Sequence, residues 1–248
     1  YNLAEIQNDC SKFFKISPEQ TLNYIQSLYE KKLVTYPRTD ARVLSTAIAK
    51  EIDKNIRGLG SLRTMKPFVD EILEKGLYKG IEKTKYVNDK QITDHYAIIP
   101  TGQGFNALTS VSRTEQLIYE VIVRRFLAIF LPAAEYEKVS LEVFSNNEHF
   151  FASEKYLKNE GYLALMQYSF AKKKEETASC GEEKEAEGTQ ENTEEEELDN
   201  ANLREVIDQV KKGANITFTT LGIKEGETSP PKRYTSGSMI LAMENAGN

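Results

Sequence analysis

Cysteine and histidine are scarce in this sequence of 248 residues, which contains two of each: Cys10, Cys180, His95 and His149. So few ligands, placed so far apart in the chain, cannot form a clustered zinc site. Two cysteines do not make a disulfide framework either, so we expect a reducing compartment, the cytoplasm.

Long apolar stretches are absent as well. No run approaches the roughly 20 residues that a membrane-spanning helix needs, so we expect no membrane partner. The first residues have neither the basic nor the apolar region of a secretory signal peptide. An initiator methionine is missing and the last residues stop within a helical pattern, so we expect the chain to be part of a longer protein.

The net charge of −6 argues at first against a nucleic acid partner, but the negative charge is unevenly distributed. Residues 175–199 hold twelve acidic side chains and one basic one, and the rest of the chain carries a net charge of about +5. That mild bias is compatible with DNA. The segment 172–200 is too poor in apolar residues to fold alone. We interpret it as a disordered insertion that serves solubility, DNA mimicry or binding of a protein partner.

Helical periodicity dominates as far as residue 133, and strand-like alternation follows it. Helices are predicted over 2–15, from Pro18, from about Ser45, over 62–75, over 113–130 and over Met239–Ala246. Strands are predicted on both sides of Asn146-Asn147, at Ile216, Phe218 and Thr220, and in the apolar stretch 161–170. This order of elements favours an α+β fold.

Two capping boxes mark helix starts, at Ser17–Gln20 and at Ser112–Glu115. The second opens the clearest helix of the chain, whose apolar stripe is interrupted by Arg124 and Arg125. We interpret this arginine pair as part of a solvated face, with a phosphate contact as the alternative.

The stretch Tyr36-Pro37-Arg38-Thr39-Asp40 has the greatest chemical interest. Pro37 favours an extended backbone at Tyr36, so the preceding helix is expected to stop before it. A phenol can attack a phosphodiester, and a guanidinium can stabilise charge on the phosphoryl oxygens. On spacing alone, however, a packing or surface contact explains a tyrosine near an arginine more often than catalysis does.

Three stretches, in this order, resemble the signatures of type IA DNA topoisomerases, and most of all bacterial topoisomerase III. They are LYEKKLVTYPRTDARVLS (Leu28–Ser45), DHYAIIPTG (Asp94–Gly102) and PPKRYTSGSMILAMENAG (Pro230–Gly247). The resemblance covers nearly the whole chain apart from the acidic insertion. It covers only the middle of a topoisomerase, however.

The resemblance assigns three catalytic residues. Tyr36 matches the nucleophile that attacks one DNA strand, forms a 5′-phosphotyrosine and releases a 3′-hydroxyl, so that resealing needs no ATP. Arg38 matches the arginine placed on the scissile phosphate. His95 matches a histidine that hydrogen-bonds the phosphate region or assists proton movement, although a lone histidine before an apolar run is commonly a core residue.

Further positions are expected to contact DNA or to order the site. They are Glu30, Thr35, Thr39, Asp40, Arg42, Lys232 and Arg233. Glu30 has an alternative as an exposed helix residue, and Asp40 has two roles open, orienting Arg38 or capping the next helix. Lys232 and Arg233 are expected to make electrostatic contacts.

The sequence departs from the family pattern at three places. Ala41 stands where many relatives have serine, Tyr96 where many have a second histidine, and Thr235–Ser238 where TEAS is commoner. Relatives bind magnesium through a glutamate and an Asp-x-Asp set in a separate toprim domain. No Asp-x-Asp occurs here. We therefore expect Mg²⁺ only in the intact enzyme, and a chain that is inactive without its toprim domain.

The resemblance implies two domains. Residues 1–133 would form a helical, winged-helix-like gate domain that carries the tyrosine. Residues 134–248 would form part of an antiparallel, barrel-like β arch, and single-stranded DNA and the missing domains would be the partners. The alternative is a non-catalytic DNA-binding module in which Tyr36 stacks on a base and Arg38 contacts phosphate.

Overall fold

The computed structural model describes residues 1–171, 210, 212–215, 217, 222–223 and 225–246. The predicted acidic insertion 172–200 and the strand predicted at Ile216, Phe218 and Thr220 lie outside these residues. Within the described part of the chain, no helix is both long and apolar enough to cross a membrane.

The chain divides into two compact units. The first consists of Tyr1–Ala133, Gly161–Lys172 and Arg233–Asn248, and the second of Ala134–Glu160 and Lys173–Lys232. We expected everything after residue 133 to lie in the second domain. The residues from 161 and from 233 belong instead to the first unit, because they pack against its helices.

Side-chain caps set the starts of the helices. Helix α1 (Leu3–Phe14) begins where the Asn2 side chain accepts the Glu5 N–H at 2.9 Å. Helix α2 (Pro18–Glu30) begins with the predicted capping box: Ser17 Oγ accepts the Gln20 N–H, and Gln20 Oε1 accepts the Ser17 N–H. Each such cap stabilises a helix by about 1 kcal/mol.

The remaining helices of the described residues follow the predicted order. They are α3 (Thr46–Leu59), α4 (Lys66–Glu74), α5 (Arg113–Ala128) and α6 (Ser236–Asn245). Short 3₁₀ turns lie at Ile81–Lys83, Asp89–Gln91 and Phe105–Thr109. The apolar faces of the helices enclose one core. Its largest fully buried side chains are Ile6, Ile25, Leu28, Leu33, Ile52, Ile56, Leu59, Ile72, Ile98, Ile118, Ile122 and Leu127.

Helix α6 returns to the first helix of the chain. A Cβ at Gly237 would lie 2.9 Å from Ser11 Cβ and 3.0 Å from Asn8 Cα, which is too close for a side chain. Glycine at this position therefore lets α6 approach α1 closely, and it places the far end of α6 near the start of α1.

The second unit contains an antiparallel hairpin of β1 (Glu135–Ser145) and β2 (Glu148–Asn159). Asn146, at φ 55°, lies in the turn between them, where the sequence predicts a turn. Two strands are the whole sheet among the described residues, so the barrel-like arch is not confirmed.

The stretch 161–170 is not a strand, and this prediction was wrong. Gly161–Met166 forms a 3₁₀ helix against α5, and the Tyr162 N–H donates to the Pro132 carbonyl at 2.9 Å. Periodicity could not decide this, because a short apolar run fits a buried turn as well as a strand.

Arg124 is the second correction, because its side chain is buried rather than solvated. Only 7% of the residue is exposed. Its Nε donates to Glu120 Oε1 at 2.8 Å, and its Nη1 donates to the Leu165 carbonyl at 2.6 Å. Arg124 therefore joins α5 to the 3₁₀ helix, while the neighbouring Arg125 is exposed.

We predict that Arg124→Ala lowers the free energy of unfolding by about 3 kcal/mol. The substitution leaves the Leu165 carbonyl without its donor and the Glu120 carboxylate without its cation, although Ser169 still donates to that carboxylate. The matched control is Arg113→Ala, in the exposed first turn of the same helix. It should change the stability by less than about 0.5 kcal/mol. Urea unfolding followed by circular dichroism measures both, and equal losses would contradict the structural role of Arg124.

Cys10 supplies a second prediction, which concerns thiol reactivity. The side chain is fully buried, and burial raises the pKa of the thiol to about 12. The thiolate is the reactive form, so native Cys10 should resist alkylation at pH 8.

In a Cys180→Ser background, a chromogenic disulfide reagent should label no thiol in buffer and one thiol in denaturant. The raised pKa favours the folded state below the pKa of an unfolded thiol, about 8.5, and this contribution falls as the pH rises toward 12. Labelling in buffer as fast as in denaturant would refute the burial of Cys10.

Candidate active site

The end of helix α2 sets the path of the chain into Tyr36. The Lys32 N–H donates to the Tyr29 carbonyl at 2.8 Å, and the Leu33 N–H donates to the Leu28 carbonyl at 2.9 Å. This pair of bonds is a Schellman motif, and Lys32 occupies its left-handed position with φ 61°. The helix therefore ends six residues before Tyr36, upstream of the local effect of Pro37.

The residues after the turn pair with the apolar run at 97–100. Val34 forms an antiparallel bridge with Pro100, and the Thr35 N–H donates to the Ile99 carbonyl at 3.0 Å. The Thr35 hydroxyl donates to the Ala97 carbonyl at 3.1 Å and accepts the Ile99 N–H at 2.9 Å. The Thr35 side chain thus supplies hydrogen bonds that the two backbones do not make in this short strand pairing.

A second threonine holds the other side of Tyr36. Thr39 is 7% exposed, and its hydroxyl donates to the His95 carbonyl at 2.7 Å and accepts the Ala41 N–H at 3.1 Å. Thr35 and Thr39 therefore join the tyrosine segment to the histidine segment on both sides of Tyr36. Both hydroxyls have internal partners, and the expectation that these residues contact DNA stays a prediction.

The two threonines bring the aromatic side chains of both segments together. The Tyr36 ring centre lies 4.4 Å from that of His95, and 5.4 Å from that of Tyr29 in an edge-to-face contact. Tyr36 is half-buried and His95 is exposed. A cleft of about 320 Å³, called here the Tyr36 cleft, is lined by Tyr29, Lys32, Val34, Thr35, Tyr36, His95, Tyr96 and Thr101.

Arg38 lines a second cleft, of about 410 Å³, called here the Arg38 cleft. Its lining is Leu3, Ala4, Gln7, Arg38, Thr39, Asp40, Thr93, Asp94, His95, Ile240 and Glu244. Arg38 is exposed and has no hydrogen bond or ion pair with any described residue. His95 belongs to both clefts, so a phenol, an imidazole and an unpaired guanidinium occupy neighbouring surfaces.

The remaining predicted residues differ in their surroundings. Glu30 is exposed and accepts a bond from Gln26 at 3.2 Å, which fits the alternative of a surface helix residue. Asp40 takes neither of its two expected roles. Its carboxylate accepts from Thr93 at 3.4 Å, and Ser45 caps α3 instead.

The predicted basic residues also differ in their surroundings. Arg42 forms ion pairs with Glu5 at 3.3 Å and with Glu244 at 3.2 Å, so its charge is already compensated. Lys232 and Arg233 are both exposed. The three predicted catalytic residues lie together, because Tyr36 lines one cleft, Arg38 lines the other and His95 lines both.

Tyr29, Lys32 and Tyr96 are site residues that sequence reasoning missed. Tyr29 is 38% exposed, and it packs against Tyr36. Lys32 contributes a cation to the Tyr36 cleft. Burial raises the pKa of Tyr96, which keeps this phenol protonated. Tyr29 and Lys32 lie at the Schellman turn and Tyr96 directly follows His95, so the fold and not a pattern of their own brings them to the cleft.

Comparison with known proteins identifies the family of this chain. Full-length topoisomerase I from Thermotoga maritima matches the whole chain with a TM-score of 0.52 and 18% identity, and the chain covers 34% of it. This likeness concerns the fold alone, which is that of part of a topoisomerase. The DNA topoisomerase family model matches residues 1–247, and the chain belongs to the type IA DNA topoisomerase family.

Two relatives are both named DNA topoisomerase 3. The protein from Bacillus licheniformis is 34% identical over 247 residues, and the protein from Bacillus subtilis is 34% identical over 248 residues. Each alignment covers 99% of this chain. The chain spans about 30% of the length of these curated relatives.

We predict that Thr39→Val lowers the free energy of unfolding by about 1–3 kcal/mol, because the His95 carbonyl and the Ala41 N–H lose their partner. Thr39→Ser is the matched control, since it keeps the hydroxyl. Urea unfolding measures the stability, and NMR of the His95 ring protons reports the local geometry. Valine and serine variants with the same stability and the same ring shifts would refute this role for Thr39.

Proposed function

We propose that this chain is the tyrosine-bearing central part of a longer type IA DNA topoisomerase. It cuts one strand of DNA through a 5′-phosphotyrosine at Tyr36, and it reseals the strand after strand passage. The observation that carries the proposal is the convergence of Tyr36, Arg38 and His95 from two separate segments.

The proposed cleavage exchanges one ester for another. The Tyr36 oxygen attacks phosphorus, the phenol proton is released, and the 3′ oxygen leaves and takes up a proton. Resealing is the reverse step, and it needs no ATP because the phosphotyrosine bond keeps the energy of the phosphodiester. A free phenol has a pKa of about 10, so the attack requires a base, a cation or a metal nearby.

Arg38 supports the proposal through its lack of a protein partner. An exposed guanidinium can bind two phosphoryl oxygens and stabilise the charge that develops on them. His95 lies at the border of both clefts, where it can hydrogen-bond the phosphate or carry a proton between Tyr36 and the leaving oxygen.

The supporting residues divide into two groups. Thr35, Thr39 and Arg42 are held by internal bonds and order the loop around the nucleophile. The exposed Lys232 and Arg233 are proposed phosphate contacts for the single strand. Glu30 and Asp40 stay candidates for ordering the part of the site that would bind DNA.

Magnesium has no evident place among these residues. The described part of the chain contains no group of three or more histidine, cysteine, aspartate or glutamate side chains that could hold a metal ion. We propose that Mg²⁺ binds the toprim domain of the intact enzyme, in the cytoplasm. The chain would then need that domain as an intramolecular partner to cleave DNA efficiently.

A non-catalytic DNA-binding module is the second candidate function. The packed rings of Tyr29, Tyr36 and His95 form a partly exposed aromatic surface, which favours stacking on an unpaired base. Arg38 would then contact phosphate without any chemistry.

We predict that Tyr36→Phe abolishes a covalent adduct that the unsubstituted protein forms. The chain, expressed with the flanking sequence of its own gene, is mixed with Mg²⁺ and single-stranded DNA, then denatured and run on a gel. A 3′ label should travel with the protein and a 5′ label should not, because the tyrosine holds the 5′ phosphate of the downstream fragment.

Tyr78→Phe is the matched control, because Tyr78 is also half-buried but lies outside both clefts. It should keep the adduct. If Tyr36→Phe keeps DNA affinity and no adduct forms in any variant, the binding-module function is supported instead. A 5′ label that travels with the protein would reverse the proposed polarity.

A further inference from the structure

Asn2 is a fully buried polar side chain at a junction of three chain segments. Its Oδ1 accepts the Glu5 N–H at 2.9 Å and so caps α1. Its Nδ2 donates to the Asp40 carbonyl at 3.2 Å, and also to the Glu244 carboxylate. The two protons of the amide and its oxygen therefore all have partners, as a buried amide requires.

This junction joins residues that are distant in the sequence. Asp40 lies 38 positions after Asn2, and Glu244 lies 242 positions after it, near the end of α6. The loop that leads out of Arg38 is thus tied to the first and the last described helices of the first unit.

Other bonds reinforce the same junction. The Leu3 N–H donates to the Thr39 carbonyl at 3.0 Å. Arg42 joins Glu244 and Glu5 through separate nitrogens, at 3.2 and 3.3 Å. Asn2 is the fully buried centre of this network, whereas Arg42 is exposed and Glu244 is half-buried. A buried amide with all its partners restrains the groups that it binds, and its loss leaves the Asp40 carbonyl without this donor.

Glu244 also lines the Arg38 cleft, where its negative charge could capture Arg38. Its two oxygens are instead bound by Asn2 and Arg42. The network therefore joins the loop to α1 and α6, and Glu244 is bound within it and not to Arg38.

We propose that Asn2 and Glu244 are positioning residues for the cleavage reaction. They hold the loop 38–42 so that the Arg38 guanidinium meets the scissile phosphate, and neither touches the reacting atoms. This inference rests on the function proposed above, because it assigns to Arg38 the role of phosphate ligand.

Two substitutions separate positioning from folding. Asn2→Ser keeps a side-chain oxygen that can cap α1, but it removes both donors to Asp40 and Glu244. Glu244→Ala removes the carboxylate from the other side. Met243→Ala is the matched control, because Met243 lies beside Glu244 in the same helix and is 69% exposed.

The first measurement is the rate of adduct formation in the longer protein, at saturating single-stranded DNA, together with the Kd for that DNA. Asn2→Ser and Glu244→Ala should each lower the rate roughly tenfold, because a small misplacement of a catalytic group is costly. The Kd should change less than about twofold, and Met243→Ala should match the unsubstituted protein. The double variant should be faster than the product of the two single effects would give, because both substitutions remove the shared Asn2–Glu244 bond.

The second measurement is hydrogen exchange in the 248-residue chain, which needs no activity. Amides of residues 38–42 should exchange faster in both variants, while those of α5 should keep their protection. Normal exchange at 38–42, or faster exchange with an unchanged adduct rate, would overturn the proposal. Absence of an adduct in the unsubstituted protein would instead refute the proposed function, and the exchange result would still decide whether the junction holds the loop.

Discussion

The rest of the site depends on the pairing of residues 33–39 with residues 95–101. The backbones alone make few ladder bonds there, and two threonine hydroxyls complete the connection. Because these hydroxyls lie on either side of Tyr36, the tyrosine cannot move far without breaking internal bonds of both segments. The apolar run of Ala97, Ile98 and Ile99 is at most 4% exposed, and it anchors the connection in the core. The geometry of the candidate site therefore depends on the packing of the core.

Three arginines, Arg124, Arg42 and Arg38, differ in whether the protein supplies a partner for their charge. Arg124 is buried and has both an anionic and a carbonyl partner, as a desolvated guanidinium requires. Arg42 is exposed and is compensated by two carboxylates, Glu5 and Glu244. Arg38 alone of these three has no partner among the described residues. An exposed guanidinium without a protein partner is well suited to bind an external phosphate.

The chain covers about 30% of the length of its curated relatives. The proposed nucleophile, the proposed phosphate ligand and a histidine lie together in the first unit, and the described residues contain no group of three or more potential metal ligands. If one domain carries the tyrosine and another binds the metal, the tyrosine segment would be able to move away from the metal after cleavage. In this view the Asn2–Glu244 junction keeps Arg38 and Tyr36 in one rigid body during such a movement.

Local sequence was sufficient to predict the capping boxes at Ser17 and Ser112 and the motif on which the proposed chemistry rests. Capping at Ser17 and Ser112 depends on residues within one turn, so it can be read directly from the sequence, whereas Ser45 and not Asp40 caps α3. Tyr36, Arg38 and His95 stand in motifs that resemble those of a family. Only the tertiary structure decided what the other polar side chains do: the burial of Arg124, the contact of Tyr29 with Tyr36, and the use of Asn2 as a junction. Arg124 and Asn2 depend on partners from distant parts of the chain, and the contact of Tyr29 with Tyr36 depends on the turn between them. Neither periodicity nor spacing records which of these groups will meet.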